Sequence, residues 1–400
     1  MRDGRPTVGS LAGREQERKA AREASHATMT LAAITDALIT EESGPAKPYV
    51  AFKANSGAWI LVPDRPPIRT AGLALYHPQS LRGAFAKNLI AAGAWRPQSR
   101  RVRQETLDEL KGALNGFVGD DELHCAFYLR APGPFAKAIV LAMDSAGRPI
   151  AYVKIAATEQ SARAIAHEAE MLERLARIPS LAHCVPRVMA RARWRDYPIL
   201  VLSAGPLRSA PRGFDGIHRE FLDHLGASTR STRRLSDSRM LAEIRGRFDA
   251  SHEALPGPWR SRYAWALEEI EKRGGAFELP LSLAHGDFVP WNMRRNKDGS
   301  LYVFDWELAA AERTAGWDAL HFRLARHAFG IGPRGGVGLE AMCGLLARDD
   351  RDAGELLLLA YLTDVGLFCQ HRLIEAGAPT TNPFIAAAGD LLDALRQRLR

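Results

Sequence analysis

Residues 283–309 read LAHGDFVPWNMRRNKDGSLYVFDWELA, and they set the terms for the rest of the chain. The apolar run Leu279 to Ala284 predicts a strand that delivers His285-Gly286-Asp287 into a loop. Pro290 blocks a helix there, and Asn292 follows Asp287 by five positions. Asp298-Gly299 then reverses the chain, a strong hairpin signal. Leu301 to Phe304 return as a second strand that ends on Asp305. Three side chains able to hold a metal or a proton, Asp287, Asn292 and Asp305, are therefore expected at strand ends joined by a tight hairpin.

Phosphoryl transfer has a use for such a set. The protein does little covalent work in that reaction, so catalysis rests on positioning and on charge stabilisation. One carboxylate orients the acceptor hydroxyl and takes its proton, while hard oxygen ligands hold Mg²⁺ beside phosphate oxygens. Protein kinases use H-R-D-x-x-x-x-N followed by a later Asp. Here the loop reads His285-Gly286-Asp287 through Asn292, with Gly286 in place of the Arg. Together with Phe-Asp-Trp-Glu at 304–307, this segment closely resembles the aminoglycoside phosphotransferase and choline kinase family, whose fold is related to protein kinases. The resemblance implies Asp287 as catalytic base, Asn292 and Asp305 as magnesium ligands, and His285 as a support of the loop.

Length and composition leave room for that reading. Four hundred residues, 46% hydrophobic and 25% charged, allow one large or two ordinary domains. The net charge of +8 comes from Arg scattered along the chain, with no long basic block, so nucleic-acid binding is the weaker reading. Cys125, Cys184, Cys343 and Cys369 lie far apart and form no Cys-x-x-Cys pair, which fits a reducing compartment. No apolar signal-type core opens the sequence. The apolar run Leu356 to Cys369 is short for a membrane span and carries Asp364, so it reads as a buried helix. A cytoplasmic protein without membrane or nucleic-acid partners is expected.

Four regions are expected: a flexible tail or solvated helix over 1–45, an accessory α/β extension over 46–122, a nucleotide-binding lobe over 123–205 and a catalytic lobe over 206–400. In the extension, strands are predicted at Trp59 to Val62 and Gly72 to Tyr76, and helices at Ser80 to Trp95 and Thr106 to Phe117. Three strands follow at Cys125 to Arg130, Ala138 to Met143 and Ile150 to Ile155, then a helix over Ser161 to Arg177. The third strand carries Lys154 among apolar neighbours, and the helix offers Glu168 and Glu170 as partners. A strand Lys with a helix Glu is the kinase arrangement for holding α- and β-phosphates, and Glu168 has the core-side spacing with Leu172 and Leu175. The link 131–137, with Gly133 and Lys137, sits where kinases cover the phosphates, although a rigid hairpin turn explains it equally well. Pro198 to Ser203 is a further strand, and the backbone of Ser203 to Gly205 is the expected adenine contact.

In the last region, Ser228 to Ser238 reads as a mobile loop and Trp259 to Lys272 as a helix. Asp318 is expected to cap a helix over Ala319 to Ala328 and to brace the catalytic loop. Glu307 reads first as a solvated strand-end acid and second as a carboxylate on the metal side, and His321 and His327 read as surface residues that share no helical face. The expected fold is α+β and two-lobed like a protein kinase: a small antiparallel sheet with one helix for ATP, then a mostly helical lobe. The expected activity is ATP- and Mg-dependent phosphorylation of a small-molecule hydroxyl; the alternative is a pseudokinase-type nucleotide-binding module without turnover. Segment 207–250 holds nine Arg against six acids, which points to a neutral or anionic acceptor.

Overall fold

The computed structural model describes residues 30–40, 45–54, 57–78, 81–119, 122–275, 278–330, 339–346 and 350–399. The chain divides into two compact units, one of Met1–Ala166 with Val188–Ala204, the other of His167–Arg187 with Gly205–Arg400. The class is α+β, with an antiparallel sheet in the first unit and a mostly helical second unit.

The first described element of the first unit is a helix, α1 (Leu31–Leu38), inside the stretch expected to be a tail or a solvated helix. Thr30 caps it by accepting the amide of Ala33, and Leu31, Ile34 and Leu38 are buried, so these residues are ordered by packing. Residues 1–29 and 41–44 of that expected tail lie outside the described residues. Nine strands follow: β1 (Ile39–Thr40), β2 (Ala46–Lys53), β3 (Trp59–Pro63), β4 (Gln98–Arg103), β5 (His124–Leu129), β6 (Lys137–Met143), β7 (Pro149–Ala156), β8 (Val188–Trp194) and β9 (Tyr197–Ser203). They form one sheet in the order β1-β4-β2-β3-β5-β6-β7-β9-β8. The 46–122 extension thus belongs to the same sheet as β5 to β9: β3 pairs with β5 through Trp59↔Leu129, Ile60↔Tyr128 and Leu61↔Phe127. Alternation sorts the side chains between two cores. Leu61, Phe127, Val140 and Val153 face one cluster. Ile60, Val62, Ala126 and Leu141 face the other.

Helices α2 (Pro66–Gly72), α3 (Leu81–Ala92) and α4 (Gln104–Val118) belong to this unit. The strand expected at Gly72 to Tyr76 is absent; α2 ends at Gly72 and one 3-10 turn, Leu73–Leu75, continues from it. Pro66 and Pro67 explain the difference, because proline in the first turn is preorganised for helix and gives up an amide that would have no partner. Helix α5 (Glu159–Leu175) begins in the first unit and ends in the second.

The second unit holds α6 (Gly216–Thr229), β10 (Ser231–Arg234), α7 (Arg239–Ser251), α8 (Gly257–Gly274), β11 (Glu278–Ala284), β12 (Met293–Arg295), β13 (Leu301–Val303), β14 (Ala310–Thr314), α9 (Trp317–Ala328), α10 (Leu339–Leu346), α11 (Arg351–Glu375) and α12 (Pro383–Arg398). The expected mobile loop over 228–238 instead contains β10, which pairs with β11 from Ser231↔Leu281 to Arg234↔Glu278. Its exposed polar side chains conceal a strand whose stability comes from backbone pairing and from Arg233 on Glu312. Helix α11 is buried along most of its length. Asp364 within it is answered by Arg313 at 2.7 Å and by the indole N–H of Trp317 at 3.1 Å, which explains how an apolar run tolerates a charge. No described helix is long and apolar enough to cross a membrane.

Candidate active site

Strand β11 leads directly into His285, whose ring is wholly buried. Its Nδ1 accepts the Asp287 amide at 3.1 Å, and its Nε2 faces the Phe304 carbonyl at 3.0 Å. These partners assign the proton to Nε2 and leave the imidazole neutral. Asp318 braces the same loop from α9. Its Oδ2 accepts the His285 amide at 2.8 Å and its Oδ1 the Gly286 amide at 3.1 Å. Burial pushes the Asp318 carboxyl above its ordinary range, while the two amides it accepts pull the other way. The cap of α9 is Gly316 rather than Asp318, which sits in the first turn with its carboxylate committed to the loop.

Gly286 has φ +83°, and a Cβ there would lie 2.1 Å from the Leu308 carbonyl oxygen. No side chain fits, so the glycine in this triplet follows from how closely the loop passes the backbone beyond Asp305.

Asp287 is one-third exposed. Asn292 donates its amide N–H to Asp287 Oδ2 at 2.9 Å and to the Asp287 carbonyl at 3.1 Å, leaving the Asn292 amide oxygen for another ligand. The Phe304 amide donates to the Asn292 carbonyl at 3.1 Å, so the hairpin β12–β13 is tied to the loop. His321 Nε2 lies 3.4 Å from Asp287 Oδ1. The expectation that His321 is a surface residue is therefore wrong: it is buried, stacked on Trp317 at 5.0 Å and packed against Phe384 at 5.1 Å. His327 is exposed.

Asp305 adopts a left-handed conformation, φ 70° and ψ 59°, at the start of the 3-10 turn Trp306–Leu308. For an Asp this costs on the order of 1–2 kcal/mol. The conformation brings its carboxylate beside those of Glu168 and Glu307, with one oxygen of each within 4.8 Å of the others. Glu307 is thus not simply a solvated strand-end acid. Glu168 is fully buried and accepts the Trp306 amide at 3.2 Å, whereas Glu170 is exposed. An all-oxygen set of this kind, with the Asn292 amide oxygen on the adjoining hairpin, suits a hard cation such as Mg²⁺.

The remaining candidates fall mainly in the first unit. Lys154 is buried in β7, opposite Ile139 of β6 and Leu200 of β9. Gly133 lies in an exposed turn closed by the Ala136 amide on the Gly133 carbonyl, and Lys137 is buried at the start of β6. Ser203 ends β9 opposite Ala151. Gly205 opens the second stretch of the helical unit, where a Cβ would lie 2.3 Å from the Tyr302 ring. Sequence reasoning missed His321 and ranked the engagement of Glu307 second. The signal for Glu307 was its place two residues after Asp305, and for His321 its place three residues after Asp318.

No family model matches the chain, and no curated protein matches it. Several solved aminoglycoside phosphotransferases are similar to it. APH(4)-Ia, in a ternary complex with ADP and hygromycin B, aligns over 72% of this chain and 97% of its own, at 14% identity and TM-score 0.49. Aminoglycoside 2'-phosphotransferase-IIIa, in its GDP complex, aligns over 74% and 100%, at 14% identity and TM-score 0.45. APH(3'')-Id from Streptomyces rimosus aligns over 65% and 98%, at 17% identity and TM-score 0.41. The functional reading rests on this chain's own residues.

Proposed function

We propose that this chain is an ATP- and Mg²⁺-dependent phosphotransferase acting on a hydroxyl of a small molecule. The observation that carries the reading is the state of Asp287: a partly exposed carboxylate with one oxygen fixed by Asn292 and the other beside His321. Asp287 orients the acceptor hydroxyl and takes its proton as the new bond forms. Asn292 keeps the carboxylate turned toward the acceptor, and Asp318 and His285 fix the backbone that carries it. Asn292 and Asp305, with Glu307 alongside, would hold magnesium, which when bound neutralises charge on the transferring phosphate. Lys154 steadies the α- and β-phosphates, with Glu168 as its orienting carboxylate; the amides near Gly133 cover the phosphates, and the backbone at Ser203 and Gly205 receives adenine.

For the acceptor we favour a neutral or anionic molecule. Arg233, Arg245 and Arg247 pair with Glu312, Glu271 and Asp364, so the basic excess of 207–250 is partly neutralised within the unit. A separate excess remains. Arg219, Arg323 and Arg326 have no acid within ion-pair distance among the described residues, and burial and the other two charges lower the Arg323 pKa. Helix α9 carries Arg323 and Arg326 in the turn that follows Phe322, which packs against Phe288.

The test is ADP release from ATP and Mg²⁺ over a pool of metabolites, with Asp287→Asn as control and with neutral, acidic and cationic acceptors compared. Activity that survives Asp287→Asn would overturn the base assignment, and efficient turnover of cationic acceptors alone would overturn the acceptor class. An absence of any magnesium-dependent rise in melting temperature at saturating ATP would overturn the catalytic reading itself.

A further inference from the structure

A cavity of about 240 Å³ opens in the first unit between β2, the end of β3, α4 and the start of β5. Its lining is largely apolar, with Tyr49, Leu107 and Cys125 buried against it. The Tyr49 hydroxyl is already used, donating to the Cys125 carbonyl at 2.8 Å. Burial pushes the Cys125 thiol up to about 12, so it offers no nucleophile.

Four basic side chains meet at this apolar surface: Lys47 from β2, Arg65 from the turn after β3, Lys111 from α4 and His124 from β5. The Arg65 guanidinium lies 3.4 Å from His124 Nε2. Burial, then the charges of Arg65, Lys111 and Lys47, hold His124 below the ordinary histidine value, with Glu122 opposing them. The acid in the lining, Asp64, is taken by Arg69 at 2.6 Å and by Arg96 at 3.3 Å. Among the described residues, no acid is within ion-pair distance of Lys47, Arg65 or Lys111. Lys47 and Arg65 are exposed and Lys111 is half-buried, and a bound anion would reduce the mutual repulsion of these charges.

We propose that this cavity binds a small organic anion, a carboxylate or phosphate ester carried on an apolar body. Its volume falls below the roughly 300–1,000 Å³ of drug-sized sites, so it suits about one ring or a short branched chain rather than a nucleotide. Lys47, Arg65 and Lys111 hold the head group, and the face formed by Leu107, Tyr49 and Cys125 takes the body. The site is independent of the phosphotransferase reading, since every lining residue lies in the sheet unit.

The test is calorimetric titration of the full chain with phenyl phosphate, benzoate and inorganic phosphate. Lys111→Glu and Arg65→Glu are titrated in parallel, with melting temperatures to verify folding, and Asp305→Ala in the presence of EDTA excludes cation-bridged phosphate at the catalytic loop. Saturable binding of phenyl phosphate or benzoate is expected in wild type and in Asp305→Ala, weakened at least about tenfold by each charge reversal. The tighter of the two probes identifies the head group. The proposal is overturned if no probe saturates, if the reversals bind as wild type does, or if Asp305→Ala abolishes binding. It is also overturned if inorganic phosphate binds as tightly as phenyl phosphate, because the apolar face would then be idle.

Discussion

The loop 285–292 and the turn 131–136 are both short connections after strands, yet they are held in very different ways. In the first, the amides of His285, Gly286 and Asp287 each have a side-chain acceptor, and Asp287 is fixed by Asn292. In the second, one backbone bond closes the turn, Thr158 donates to the Pro134 carbonyl, and nothing lies within 4 Å of a Cβ at Gly133. The comparison teaches where a single geometry is enforced. A carboxylate that must meet one hydroxyl needs every neighbour fixed. A turn whose amides would meet a mobile phosphate chain can be left open until the ligand arrives.

Gly286→Ala should break the comparison most strongly. The left-handed backbone and the 2.1 Å approach to Leu308 predict a loss of about 3 kcal/mol or more in urea unfolding, together with loss of turnover. If the variant melts as wild type does, the loop is not fixed in this way. Next come the two carboxylates. Asp287→Asn should lower kcat by about 10²–10⁴ and leave ATP affinity unchanged, whereas Asp305→Ala should lose magnesium-dependent ATP binding. Equal losses of ATP affinity, measured by calorimetry, would refute that division.

Asp318→Ala leaves two buried amides without acceptors and should cost about 1–3 kcal/mol, with kcat reduced through disorder of the loop. His321→Ala should cost about 1 kcal/mol from its aromatic stack and lower kcat by roughly tenfold, because Asp287 Oδ1 loses its neighbour. The smallest effect should come from Gly133→Ala, within about 0.5 kcal/mol in stability and near-unchanged in KM for ATP. A large rise in KM there would mean that the open turn is as constrained as the loop.

Much of this contrast was legible in the sequence. The apolar run Leu301 to Phe304 and the Asp298-Gly299 turn predicted the hairpin that joins Asn292 to Asp305, and the core spacing of Leu172 and Leu175 favoured Glu168 over Glu170. Polar alternation hid β8 and β10, because Val188–Trp194 and Ser231–Arg234 gain their pairing from neighbours in the sheet. Gly72 to Tyr76 was misread because the two prolines before it act on backbone torsion, which hydrophobic pattern does not register. His321 was compared only with His327. Its partner is a carboxylate thirty-four positions upstream, and no local period reports that contact.

The pairing of β3 with β5 also decides how the chain can be cut. A protein begun at residue 123 would turn β5 into a raw border of the sheet. The backbone groups now met by Trp59, Ile60 and Leu61 would face water, and Phe127 would lose Leu61 and Tyr49 from its packing. Such a fragment would recruit copies of itself along that border and leave solution as aggregate, so strands β1 to β4 act as the sheet's hem as well as its extension.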